Sequence, residues 1–248
     1  MRWRVVPLQV HDGFTNMALD EAIGESVAAG SAPTIRFYRW RPSAVSIGYF
    51  QSLQEEVDLG ECERLGVDYL RRRTGGGAVY HDFDGEITYS LLAPQEMYGP
   101  DIPASYGEIC GHLVRSLGFL GLEAKFSPVN DVLVEGRKIS GSAQTRRGGV
   151  LLQHGTMLYR VNPEVMFGLL RVGEEKMRDK FVRSVVSRVT SVVDQVGQVE
   201  MEEVYEALLE GFTEGKTWEY GDITPVELER ARVLAAERYR SREWNFSR

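Results

Sequence analysis

The residues best equipped for chemistry lie in Arg71-Arg72-Arg73-Thr74-Gly75-Gly76-Gly77-Ala78-Val79-Tyr80-His81-Asp82. Three consecutive glycines let backbone approach a ligand closely and adopt positive φ. Successive unblocked N–H groups then cradle an anion, and the preceding arginines offer paired hydrogen bonds to phosphate or carboxylate. For a glycine triplet alone, a flexible turn with solvated arginines is the plainer reading. Basic residues before it and His81-Asp82 after it favour a site. It is not a Walker loop, because no Gly-Lys-Ser/Thr follows.

A second group surrounds Lys138. Read as a strand, Arg137–Ala143 places Lys138, Ser140 and Ser142 on one face and Arg137, Ile139 and Gly141 on the other. One ammonium and two hydroxyls suit a ligand face, although an exposed edge strand with a solvated lysine fits equally. Asn130-Asp131 supplies oxygens of the kind Mg²⁺ takes beside ligand phosphates, or else a turn. His154 sits in a strand pattern, where a lone histidine is more often structural. His11 and His112 read as structural, and no histidine pair has zinc-ligand spacing. Cys62 and Cys110 fall in helical patterns as small packed hydrophobes, without the basic neighbours of an activated thiolate. Trp40 closes a strand pattern, in the core or beside a pocket.

The chain has 248 residues, 43% hydrophobic and 26% charged, with a formal net charge of −7. That balance argues against a nucleic-acid binder with a wholly basic surface. Basic clusters at residues 71–73 and 146–147, in an otherwise acidic chain, point to a small anion such as a nucleotide or carboxylate. Apolar runs of only a few residues predict no membrane span. The absence of a signal-peptide pattern and the low cysteine count predict the cytoplasm.

To position these groups, strands are predicted at 3–9, 34–40, 44–48, 67–72, 86–92, 131–134, 137–143 and 150–159. Within 86–92, Ile87, Tyr89 and Leu91 alternate with Thr88, Ser90 and Leu92. Helices are predicted at 17–29, capped by Asn16, and at 58–65, 105–117, 163–170, 201–215 and 225–239. Thr224-Pro225-Val226-Glu227 combines an N-cap, a proline and a capping-box glutamate. Strands in adjacent pairs, without crossover helices, predict an α+β fold: a central mixed or antiparallel sheet flanked by α-helices. Residues 1–248 read as a single catalytic domain, with 200–248 a helical C-terminal segment.

Arg-Arg-x-Thr-Gly-Gly-Gly-Ala-Val-Tyr-His-Asp (71–82), Asn-Asp (130–131), Gly-Arg-Lys-Ile-Ser-Gly-Ser-Ala (136–143), His-Gly-Thr (154–156) and Ser-Arg-Val-Thr (187–190) together resemble the lipoate–protein ligase A family, within the biotin and lipoate ligase superfamily. Asn-Met-Ala-Leu-Asp-Glu-Ala (16–22) and Ile-Gly-Tyr-Phe-Gln (47–51) resemble it too. The resemblance implies that lipoate and Mg·ATP form lipoyl-adenylate, which a lysine of a lipoyl domain then attacks. The implied acceptors are the E2 subunits of 2-oxoacid dehydrogenases and the glycine cleavage H protein. It makes Lys138 the catalytic lysine. It assigns Arg72, Thr74, Gly75, Gly76, Gly77, Val79, His81, Asn130, Ser140, Ser142 and His154 to substrate and nucleotide, and Asp131 to Mg²⁺. Arg146 is a candidate phosphate ligand. The chain resembles the short form without a C-terminal accessory domain, in which a separate small protein supplies that domain.

A related octanoyltransferase, which takes octanoate from acyl carrier protein without ATP, is the chief rival. Residues 141–146, 153–155 and Glu-Trp-Asn (243–245) resemble that branch. Its cysteine nucleophile would fall upstream of Gly136, where Lys125-Phe126-Ser127 contains none. On that ground, and on the full glycine triplet, the expectation is the ATP-dependent ligase. A non-catalytic binder of lipoyl cargo is disfavoured by Lys138 beside the glycine loop, and biotin ligation by motifs that match the lipoate branch.

Overall fold

The computed structural model describes residues 1–171 and 186–248. Alternating apolar and polar residues build a large sheet from β1 (Arg2–His11), β2 (Thr34–Trp40), β6 (Glu86–Pro94), β7 (Ala124–Ser127), β8 (Asp131–Val134), β9 (Arg137–Arg147), β10 (Val150–Leu158) and β11 (Thr217–Tyr220). Their order is β11-β1-β2-β6-β10-β9-β8-β7. β1 runs parallel to both β2 and β11, and the remaining pairs are antiparallel. A second sheet joins β3 (Ala44–Ile47) to β4 (Asp68–Arg71) in parallel and to β5 (Val79–His81) antiparallel. The mixed sheet flanked by helices is the α+β fold expected.

Each face of the large sheet takes one set of alternating side chains. Ile35, Phe37, Ile87, Tyr89, Leu91, Leu151 and Met157 enter the main core, with Ile109, Leu113 and Leu117 of α3 (Ile102–Phe119) and Leu208 and Phe212 of α5 (Met201–Thr213). The opposite face carries Tyr38 and Trp40 against Met17, Ala18 and Ala22 of α1 (Gly13–Ala28), and Ala231 and Leu234 of α6 (Pro225–Leu234). The small sheet packs Val45 and Ile47 against Cys62 of α2 (Leu59–Leu65) and Leu169 of α4 (Pro163–Leu169). No helix among the described residues is long and apolar enough to cross a membrane.

Helix α1 starts earlier than predicted. Asp12, not Asn16, is its cap, accepting from the Thr15 N–H at 2.9 Å. Asn16 lies inside the helix, fully buried, and its amide donates to the carbonyls of His11 and Arg39. Together with Asp20 it holds the buried Arg36, whose guanidinium donates to Asp20 Oδ1 at 3.0 Å. Asp20 also accepts from Ser90 at 2.8 Å and Tyr38 at 3.1 Å. Two polar residues one turn apart on an apolar helix therefore fix α1 to the sheet. The predicted 225–239 helix changes to a π turn after Leu234.

Burial alone would raise the Asp20 carboxyl, but His154, Arg36 and Ser90 outweigh it and hold the carboxyl below its usual range. A depressed carboxylate contributes stability that is present above its unfolded pKa and lost as pH falls through its folded one. Asp20→Ala should lose about 3–5 kcal/mol in urea denaturation at neutral pH, because Arg36 is left as an unpaired buried charge. The deficit should shrink as the wild type is acidified below its carboxylate range. A neutral-pH loss under ~1 kcal/mol would show that the pair does not hold α1.

Candidate active site

A cavity of about 370 Å³ opens between the large and small sheets. One wall is the face of β2, β6, β9 and β10 that carries Trp40, Thr88, Gly141, Ala143, His154 and Thr156. The facing wall comes from the small sheet and glycine loop, through Ser46, Arg72, Gly76, Gly77, Val79 and His81. Met166, Phe167, Leu170 and Val189 add an apolar end, and Asn130 and Lys138 stand at the side.

Two adjacent arginines shape the loop. The Arg71 guanidinium donates to the carbonyls of Gly48, Tyr49, Gln51 and Asn245. Its backbone N–H is capped by Asn245 Oδ1 at 2.8 Å, and its carbonyl by the Trp244 indole at 2.9 Å. The terminal Glu-Trp-Asn stretch thus anchors the strand entering the loop. Arg72, nearly fully buried, places Nε on Thr74 Oγ1, Nη1 on the carbonyl and hydroxyl of Ser46, and Nη2 on the carbonyls of Gly75 and Gly77. All five of its N–H groups are therefore engaged within the chain. The expectation that Arg72 clasps a ligand phosphate is corrected: it clasps the loop. Burial lowers its pKa to about 10, so it is still a cation at neutral pH.

That clasp turns the loop's carbonyls inward and leaves the N–H groups of Gly75, Gly76 and Gly77 without a hydrogen bond among the described residues. Gly76 has φ +94°, and the loop lies so close to Gly48 that a Cβ there would come within 2.0 Å of the Gly76 oxygen. Both positions require glycine.

Thr74 is fully buried behind the loop, 2.7 Å from His154 Nε2. The other His154 nitrogen faces Asp20 at 3.6 Å. Burial lowers the His154 pKa, and Arg72 and His81 lower it further against the opposing pull of Asp20. His154 is thus a neutral link between α1 and the loop. His81 lies flat on Trp40, with ring centroids 3.9 Å apart. Its Nδ1 is 2.7 Å from Glu86 Oε1 and its Nε2 is 2.8 Å from Ser46 Oγ.

Lys138 is held through its backbone, donating to Arg188 O and accepting from Thr190 N, which gives the Ser-Arg-Val-Thr stretch its role. Its ammonium is 2.7 Å from Asp131 Oδ1, and both side chains are partly exposed. The predicted face of Lys138, Ser140 and Ser142 is broken by a bulge in β9. Leu133 pairs with Lys138 and Val132 with Ser140, so Ile139 is the extra residue. Lys138 consequently lies over Gly141. Ser140 is fully buried and is not among the cavity-lining residues, while Ser142 turns its hydroxyl to Tyr89 at 2.8 Å. The side-chain amide of Asn130 donates to the Ser142 carbonyl.

Asp131, the expected Mg²⁺ ligand, lies beside Lys138. It offers one carboxylate, already paired with Lys138, and no cluster of three or more metal-binding side chains occurs among the described residues. Arg146 donates to Gly99 O and Ser105 Oγ, beside α3 and outside the cavity lining. Of the expected site residues, Arg72, Gly76, Gly77, Val79, His81, Asn130, Lys138, Ser142 and His154 all line this cavity. Ser46, Glu86 and Asp20 were missed. Ser46 is the single polar residue of its short strand, Glu86 opens a strand that also carries Thr88 and Ser90, and Asp20 is one of three buried polar residues of α1, with Asn16 and Glu21.

The model of the lipoyl protein ligase A/B catalytic domain matches residues 12–213. The chain belongs to that family. An octanoyltransferase LipM from Kyrpidia tusciae is 38% identical, over 98% of both chains. Another from Clostridioides difficile is 32% identical, over 100% of this chain and 99% of its own. A solved archaeal bi-partite lipoate protein ligase, from the lipoylation system of Thermoplasma acidophilum with its E2 lipoyl domain, superposes with TM-score 0.90. It is 37% identical and covers 99% of this chain and 96% of that one. Full-length likeness to octanoyltransferases overturns the expectation of an ATP-dependent lipoate ligase. The motifs that suggested a ligase lie in and around the cavity, where Gly76, Gly77, Lys138 and His154 line it.

Arg72→Lys keeps the charge but loses the planar five-donor fork. The Tyr49 amide, which donates to the Thr74 carbonyl at 2.8 Å, should then exchange with deuterium at least about tenfold faster than in the wild type, the ratio that ~1.4 kcal/mol of lost restraint produces. Unchanged exchange would mean the loop holds its shape without the clasp.

Proposed function

We propose that this chain transfers an octanoyl group from a carrier thioester to the ε-amine of a lysine on a lipoyl domain, in the cytoplasm. The reading is carried by one observation: a cavity apolar at its far end has an ammonium and unpaired amide hydrogens at its polar side, in a chain that aligns end to end with octanoyltransferases. Burying the methylenes of an eight-carbon chain at ~0.8 kcal/mol each contributes on the order of 5 kcal/mol of binding. Trp40, Val79, Met166, Phe167 and Leu170 supply that surface.

A thioester carbonyl is already activated, so the step needs no adenylate. As a nucleophile adds, negative charge grows on the carbonyl oxygen. The Lys138 ammonium, leaving Asp131, and the glycine-loop N–H groups meet that charge, and such donors act most strongly in a site with little water. The buried Arg72 cation adds a fixed positive potential without touching the substrate. The E2 lipoyl domain of the archaeal system supplies the model for the acceptor.

Purified chain, octanoyl carrier protein and an unmodified E2 lipoyl domain should yield octanoylated lipoyl domain by intact mass. Lys138→Ala should melt like the wild type yet transfer about 10²–10³-fold more slowly. Acylation that requires ATP with free acid, and none from the thioester, would sink this reading.

A further inference from the structure

A carrier thioester handed to a protein lysine commonly passes through an enzyme nucleophile, and no thiol here is fit for that task. The chain has two cysteines. Cys62 is fully buried under the small sheet, where burial and nearby Asp58, Glu61 and Glu63 push its thiol up to about 12. Cys110 is also fully buried, on α3 beyond the large sheet, with burial pushing its thiol up to about 11. Its sulfur lies 3.7 Å from both Ser142 Oγ and Gln153 Nε2. Neither lines the cavity.

One hydroxyl, as buried as those thiols, differs from them in belonging to the cavity lining. Ser46 stands on β3, directly across from Val79 of β5. Its Oγ accepts from Arg72 Nη1 at 3.1 Å and lies 2.8 Å from His81 Nε2, to which it donates in the tautomer that protonates Nδ1. The opposite ring nitrogen, Nδ1, then carries the hydrogen that Glu86 Oε1 accepts at 2.7 Å. Thr88 donates to the same Glu86 oxygen, the Trp40 indole donates to Thr88, and the Trp40 ring lies against the imidazole. Hydroxyl, imidazole and carboxylate stand in the order and spacing of a serine-hydrolase triad, a constellation recognised by geometry and not by fold. A network serving only to join two sheets needs neither the cavity position nor a base on the hydroxyl.

We propose that Ser46 is the acyl-accepting nucleophile of this protein, with His81 as its base and Glu86 as the residue positioning the imidazole. The inference rests on the octanoyl-transfer reading. Ser46 Oγ attacks the thioester carbonyl carbon as its proton passes to His81 Nε2. The tetrahedral adduct collapses, the C–S bond breaks, and His81 returns the proton to the departing thiolate. The acceptor amine then attacks the Ser46 ester and gives its proton to His81. His81 reprotonates Ser46 Oγ as the C–O bond breaks. One thioester and one amine become one amide and one thiol, and the enzyme is restored.

A single turnover with octanoyl carrier protein and no acceptor, quenched in acid and peptide-mapped, should place one octanoyl group on Ser46. That ester should resist neutral hydroxylamine and yield to alkaline hydroxylamine. Ser46→Ala should lose the adduct and slow transfer by at least about 10³-fold. Ser46→Cys should form an adduct that neutral hydroxylamine cleaves, which a merely structural serine would not. Should Ser46→Ala fail to fold, the wild-type peptide map decides alone. Transfer by the wild type with no acyl-Ser46, or with the acyl group on Cys110 or Lys138, overturns the serine assignment and leaves octanoyl transfer standing. Failure to consume the thioester at all removes both.

Discussion

A single buried guanidinium organises the centre of this protein. Arg72 has no carboxylate partner among the described residues, and burying an uncompensated charge costs several kcal/mol unless its donors are satisfied. Five hydrogen bonds to neutral oxygens satisfy them, and those oxygens belong to the segments that must be held still: the glycine loop, Thr74 and Ser46. The arrangement consumes the loop's carbonyls and leaves its N–H groups for a ligand. It also leaves a net positive charge inside the wall of an otherwise acidic molecule.

Two buried chains of polar contacts meet at that cation. One runs from Asp20 through His154 and Thr74, and ties the loop to α1 and to Arg36. The other runs from Glu86 through His81 to Ser46, and ties the small sheet to β6. Both end in hydroxyls that accept from Arg72, so a shift of the guanidinium would be felt at both histidines. Networks of this kind specify a unique geometry because every partly broken version leaves a buried polar atom unsatisfied. Lys138 is positioned differently: its backbone is clamped by residues 188–190 while its ammonium stays partly exposed and pairs, among the described residues, with Asp131 alone. The rigid half of the site therefore holds the loop and the histidines, and the lysine supplies the adjustable charge.

What could be read beforehand was local and periodic. The alternation of Ile87, Tyr89 and Leu91 with Thr88, Ser90 and Leu92 divides them correctly between the two faces, and β2 and β8 match residue for residue. The family motifs located the cavity. The errors arose where tertiary contacts override a local rule. A bulge, visible only through the pairing of β8 with β9, moved Ser140 out of the site. Asn16 looked like a helix cap because its type favours caps, yet it is buried within α1, where a buried arginine needs its oxygens. Arg72 looked like a phosphate ligand because arginine beside glycines usually is one, and only the fold shows its donors already taken. Ser46 and Glu86 carry no motif of their own. They are joined solely by a histidine 35 residues from one and 5 from the other.

The same reasoning explains why the branch of the family was misread from residues that were themselves well located. On the octanoyl-transfer reading, the loop amides, the clamped lysine and the apolar end of the cavity serve the acyl group and the charge that forms on its carbonyl oxygen. A thioester presents the same oxygen and the same chain as an adenylate, and differs only in the group expelled. Residues that discriminate donors must therefore lie where the leaving group departs, and the presence of Lys138 or the glycine triplet does not bear on them. Asp131, the one carboxylate expected to mark a nucleotide metal, lies 2.7 Å from the Lys138 ammonium. With its thiols remote and its arginines engaged in structure, the site's capacity for covalent chemistry comes down to whether a hydroxyl bonded to a histidine can reach the carbonyl that Lys138 polarises.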